Sequence, residues 1–131
     1  MALIMIAEDD EHLTRILKDF LRSRGHQVFS VADGVNASIR AQEWKPQLII
    51  MDIMMPGAYG TSAFRSMEAA GVTRTTPVIF LTALPREKAA QIVPATATTR
   101  LLLKPLSLQD LAAVMAELLP ESDPASGAGE R

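Results

Sequence analysis

The stretch QLIIMDIMMPG, residues 47–57, poses the question on which the fold turns. Four consecutive apolar residues, Leu48 to Met51, run into a single carboxylate, Asp52, and apolar residues resume directly after it. Such a run has the character of a strand covered on both faces, as in a parallel sheet. An ionised carboxylate is costly in that setting unless a cation or hydrogen-bond donors meet it. Asp52 therefore calls for partners from other parts of the chain.

Working outward, the run at 48–52 is one of five short apolar segments, the others being LIMIA (3–7), QVFSV (27–31), PVIFLT (77–82) and RLLLK (100–104). The second is the most mixed, which suits a strand nearer an edge. Helical patterns separate them. Leu13, Ile16, Leu17, Phe20 and Leu21 recur at three- and four-residue steps, and Gly25 supplies a stop. Further helices are expected over 35–43, 61–70, 86–92 and 108–119, with Ser107 capping the last. VPATATTR, residues 93–100, should keep the fourth helix short through Pro94 and its run of Thr. Alternation of this kind predicts an α/β fold, a parallel sheet with helices on both faces. Residues 1–119 read as one domain, and PESDPASGAGER, residues 120–131, reads as a disordered C-terminal tail.

Composition narrows the function classes. The 131 residues are 48% hydrophobic and 21% charged, enough for one sizeable core. A formal net charge of −2 gives no general attraction to nucleic acid or to an anionic membrane. Cysteine is absent, which excludes disulfides and thiolate metal sites. No apolar run approaches the ~20 residues needed to span a bilayer, and the start, MALIMIAEDDEH, lacks the basic segment of a secretory signal. A cytoplasmic protein is expected.

In parallel sheets of this type, ligands bind beyond the carboxyl ends of the strands. There the sequence places Glu8, Asp9, Asp10 and Glu11 after the first run, Asp33 beyond the second, Asp52 at the third, Thr82 at the fourth, and Lys104 with Pro105 at the fifth. Crowded carboxylates call for a cation, and oxygen-only ligands favour Mg²⁺ or Ca²⁺. A carboxylate can also act as a nucleophile towards phosphorus, a transfer that needs its phosphoryl oxygens neutralised. Metal, lysine and hydroxyl would together supply that.

At this point the chain resembles the receiver domain of two-component response regulators, the fold typified by the chemotaxis regulator. The resemblance rests on the acidic pair Glu8 and Asp9, Asp52 followed by MMPG, Gly60, LTA at residues 81–83, and Lys104-Pro105. It implies a flavodoxin-like, doubly wound sheet of five parallel strands in the order 2-1-3-4-5 with five helices. It further implies Asp52 as phosphoacceptor, and Glu8, Asp9, Asp52 and the backbone carbonyl of Met54 as ligands of Mg²⁺ or of another divalent cation such as Mn²⁺ or Ca²⁺. Thr82, Ala83 and Lys104 are then the phosphoryl-binding and switch residues, and the Lys104–Pro105 peptide is expected to be cis. Asp10 and Glu11 are expected to cap the first helix or face solvent, and His12 and His26 to be surface residues.

The sequence departs from the family at several points. Ala58 and Tyr59 stand where Met-Asp is common, VPATATTR lacks the usual turn glycine, and Leu101 occupies the position of an aromatic switch residue. The expected function is a phosphorelay switch. Its phosphoryl donor would be a histidine kinase or phosphotransfer protein, and its output a protein contact through the face of helix four, strand five and helix five. A monomer or weak dimer is expected, with no nucleic-acid or membrane partner and no classical enzyme activity beyond hydrolysis of its own aspartyl phosphate. The alternative is a degenerate receiver that binds partners without phosphorylation, which Leu101 leaves open. A phosphatase with a D-x-D motif is disfavoured by Met54 at the second Asp position, and a Rossmann domain by the lack of glycine in AEDDEH.

Overall fold

Side chains alternate across each strand, and this decides how the strands are covered. In β1 (Leu3–Ala7), Met5 and Ala7 enter one apolar layer while Ile4 and Ile6 enter the other. β3 (Leu48–Asp52) divides the same way, Ile49 and Met51 against Leu48 and Ile50. β4 (Val78–Thr82) sets Val78 and Phe80 against Ile79 and Leu81. All of these side chains are buried. Burial on both faces is the reason these segments are apolar without interruption.

The computed structural model describes residues 1–55 and 60–119. Its five strands are parallel, in the order β2-β1-β3-β4-β5, with β2 at Gln27–Val31 and β5 at Thr99–Leu103. One face is covered by α1 (Glu11–Ser23) and α5 (Leu108–Leu118) through Leu17, Leu21, Leu111 and Met115. The other is covered by α2 (Gly34–Trp44) and α3 (Gly60–Ala69) through Ala37, Ala41, Ala63, Phe64 and Met67. The short α4 (Arg86–Ile92) lies against β5. This is the flavodoxin-like arrangement expected from the sequence. Pro56, Gly57, Ala58 and Tyr59, and the expected tail at 120–131, lie outside the described residues.

Element ends shift slightly from expectation. β4 begins at Val78 because Pro77 has no N–H for the ladder and only accepts, from Ile49 at 3.1 Å. β5 ends at Leu103, so Lys104 is the first residue beyond it, although its amide still donates to the Thr82 carbonyl at 2.7 Å. A 3-10 turn at Val72–Arg74 was not anticipated. The turn before β5 is closed without glycine. The Thr99 hydroxyl donates to the Pro94 carbonyl at 2.8 Å and accepts the Thr96 amide at 2.9 Å, and the turn needs no residue at positive φ.

His26 corrects an expectation. It is half-buried, and its Nδ1 accepts the Ala2 amide at 3.1 Å, tying the start of β1 to the α1–β2 turn. Burial first, then the N-terminal ammonium and Arg24, hold its pKa below the ordinary value. A lowered folded pKa means a stabilising contribution present above the unfolded value of about 6.5 and lost as pH falls through the folded one. Thermal melts should therefore show a wild-type advantage over His26→Asn at pH 7 that shrinks by pH 5. A pH-independent difference would refute this role for the imidazole.

Among the described residues, no helix is long and apolar enough to cross a membrane.

Candidate functional site

Strand register gathers the polar ends. Asp52 closes β3 opposite Leu81, so Thr82 ends β4 one residue further along. Thr82 pairs with Leu103, and Lys104 follows at once. On the other side of β3, Met51 pairs with Ala7, the residue before Glu8. Four adjacent strands thus deliver Glu8, Asp52, Thr82 and Lys104 to one edge of the sheet.

The ammonium of Lys104 lies 2.9 Å from Asp52 Oδ2 and 3.0 Å from Glu8 Oε1. Both carboxylates are buried, Glu8 at 3% and Asp52 at 5% exposure. The contact to Asp52 is a directed hydrogen bond. The approach to Glu8 Oε1 is a buried ion pair, and among the described residues that oxygen meets no other donor. The second oxygens are held by main chain: Glu8 Oε2 accepts the Asp10 amide at 3.1 Å, and Asp52 Oδ1 accepts the Met54 amide at 3.0 Å. Asp9 is exposed, yet it offers a carboxylate oxygen that lies within 4.8 Å of oxygens from Glu8 and Asp52.

One ammonium does not neutralise this group. Burial pushes the Glu8 carboxyl up to about 7, against the opposing pull of Lys104 and the Asp10 amide, and the Asp52 charge adds to the rise. Burial alone would lower the pKa of Lys104, but its hydrogen bond to Asp52 and then its contact with Glu8 outweigh that and raise it. A divalent cation among the three carboxylates would relieve the excess charge, and hard oxygen ligands suit Mg²⁺. Glu8 Oε1 fits such an ion, since it is a buried oxygen met only by an ammonium that Asp52 shares.

The remaining residues are placed as follows. Thr82 is fully buried, and its Oγ1 accepts the Leu84 amide at 3.0 Å, which leaves the hydroxyl hydrogen available to another acceptor. Ala83 follows it and is exposed. The Lys104–Pro105 peptide is cis. Met54 presents an exposed side chain beside Asp52. Leu101 pairs with Phe80 and packs, partly buried, on the α2–α3 side of the sheet. Two of the acidic candidates serve elsewhere: Asp33 caps α2 through the Asn36 amide at 2.7 Å, and Asp10 caps α1. Sequence reasoning missed the main-chain donors from Asp10 and Leu84, because an amide carries no signal in residue type.

A family model described as the response regulator receiver domain matches residues 4–116. The chain belongs to that family. It is 33% identical over 121 residues to the phosphate regulon transcriptional regulatory protein PhoB of Rhizobium meliloti (strain 1021), covering 92% of this chain and 53% of PhoB. It is 34% identical over 87 residues to the protein PilH of Pseudomonas aeruginosa, covering 66% of this chain and 72% of PilH. Among solved structures, it is similar to the receiver domain of a sensor histidine kinase from Pseudomonas aeruginosa PAO1, solved with a magnesium ion coordinated in its active site cleft. That match has a TM-score of 0.77 and 29% identity, covering 89% of this chain and 96% of the other. The Vibrio cholerae chemotaxis protein CheY4 matches with a TM-score of 0.82 and 25% identity, covering 91% and 99%. The receiver spans about half the length of PhoB. As a receiver it is a two-component signalling domain.

Proposed function

We propose that Asp52 accepts a phosphoryl group from phosphohistidine on a histidine kinase or phosphotransfer protein, and that the modified domain signals through a protein contact. One observation carries the reading. A single ammonium, Lys104, bridges two buried carboxylates from different strands, and among the described residues Glu8 Oε1 meets no donor besides it. Glu8, Asp9, Asp52 and the Met54 carbonyl would hold the divalent ion, Mg²⁺ or a similar hard cation. That ion would neutralise the phosphoryl oxygens.

In the transfer, an Asp52 oxygen bonds to phosphorus as the imidazole N–P bond breaks, and the imidazole leaves with the bonding pair. Lys104 exchanges its hydrogen bond on Asp52 for one on the phosphoryl group. Thr82 turns its free hydroxyl hydrogen to the same group, and the loop at Ala83 closes over it. The output face is that of α4, β5 and α5. α4 has a single buried residue, Ala89, and no side-chain cap, so shifting it costs little. The domain over 1–119 acts in the cytoplasm, as a monomer or weak dimer, without binding nucleic acid or membrane.

Incubation with acetyl phosphate and Mg²⁺ followed by intact-mass measurement tests this. Wild type should gain one phosphoryl adduct, and Asp52→Asn or omission of the metal should abolish it. A wild type that stays unmodified would favour the phosphorylation-independent interaction module, for which Leu101 in place of an aromatic residue is the supporting feature.

A further inference from the structure

Asp10 performs two tasks at one turn. Its side-chain Oδ1 accepts the amides of His12 at 2.9 Å and Leu13 at 3.2 Å, filling two of the unpaired donors that open α1. Its own amide donates to Glu8 Oε2 at 3.1 Å. The same residue therefore anchors the first turn of the helix and one oxygen of a buried carboxylate.

The two tasks bear on each other. Glu8 has its main chain held independently, its amide on the Val31 carbonyl at 3.1 Å and its carbonyl taking the Thr14 hydroxyl at 3.4 Å. Its carboxylate, at the end of a flexible side chain, has two polar contacts among the described residues: the Asp10 amide and the Lys104 ammonium that it shares with Asp52. Once Lys104 is drawn to another group, the Asp10 amide is the remaining tether. The Asp10 carboxylate does not share the group of oxygens formed by Glu8, Asp9 and Asp52. It is exposed and occupied with the helix start.

We infer that Asp10 is a positioning residue for Glu8: by capping α1 it sets the turn whose amide fixes Oε2 and leaves the buried Oε1 as the oxygen that meets a divalent cation when Lys104 moves to another group. This rests on Glu8 being a cation ligand, as proposed above. Groups that orient a metal ligand without touching the metal commonly change affinity by about 10–100-fold when lost. The amide itself survives any side-chain change here, so the low end applies.

Calorimetric titration of the full chain with MgCl₂, alongside thermal melts, tests the inference. Asp10→Ala should fold, melt at a lower temperature and bind Mg²⁺ roughly tenfold more weakly. Asp10→Asn, which keeps the cap and loses the charge, should bind within about twofold of wild type, since Asn caps as well as Asp. If Asp10→Ala lowers the melting temperature but leaves the Mg²⁺ affinity unchanged, the residue only stabilises the helix and the inference is overturned. If Asp10→Asn is as weak as Asp10→Ala, the charge acts on the ion directly and positioning is overturned. Glu8→Gln separates the two levels. Wild-type affinity in that variant would remove the cation-ligand reading and this inference with it, whereas a weakened Glu8→Gln beside an unaffected Asp10→Ala would remove the inference alone.

Discussion

Lys104→Met should lower the melting temperature of the metal-free protein at pH 8 by roughly 8–12 °C, equivalent to a loss of about 2–3 kcal/mol. Methionine keeps most of the apolar stem and removes the charge. Glu8 and Asp52 then stay buried with no cation between them. The pH dependence follows from Glu8, whose carboxyl is raised from 4.5 to about 7 in the folded protein. A raised folded value means that the burial penalty is absent below the unfolded pKa and complete above the folded one. Lys104 is among the groups that lower the Glu8 pKa, so its loss deepens the penalty where Glu8 would otherwise ionise. The deficit of the variant should be larger at pH 8 than at pH 6, where Glu8 is mostly protonated in both proteins. Mg²⁺ at saturating concentration should recover much of it. Melts at the two pH values, with and without Mg²⁺, check this, and equal stability of variant and wild type at pH 8 would refute the shared-counterion account.

The second large effect is on stability alone. Phe80 is fully buried in β4, in register with Met51 and Leu101, with its ring centroid 5.4 Å from that of Phe64. Phe80→Ala empties a site where rigid strands on both sides prevent collapse, so a loss of about 3–5 kcal/mol is expected. Urea unfolding should show the midpoint fall in proportion, at unchanged slope. Leu103→Ala on the β5 edge, where the side chain is only partly buried, should cost well under half as much. Comparable losses at the two positions would contradict the two-layer packing around a central β4.

The contrast between those positions shows what residue patterns reveal and what they conceal. The strands β1, β3 and β4 are legible because burial on two faces leaves unbroken apolar runs, and α1 because its buried residues recur at helical spacing. RLLLK is as apolar as the central runs, yet β5 lies at an edge. Its neighbour on the far side is missing, and composition does not record a missing neighbour. The Thr-rich turn before it likewise hid its means of closure, since the Thr99 hydroxyl replaces a glycine only through bonds to Pro94 and Thr96.

For the site, the residue types and their positions after successive strands were readable in advance. Which acidic groups converge was not readable from those positions without the resemblance to a family. Asp33 and Glu8 both follow strands, but one caps a helix and the other is buried beside Lys104. Caps, turns and amphipathic faces depend on contacts within a few residues, so the chain determines them locally and they appear in its pattern. The Lys104–Asp52 bond joins residues 52 apart, and its existence depends on the register of parallel strands, which is settled only when both apolar layers close around the sheet.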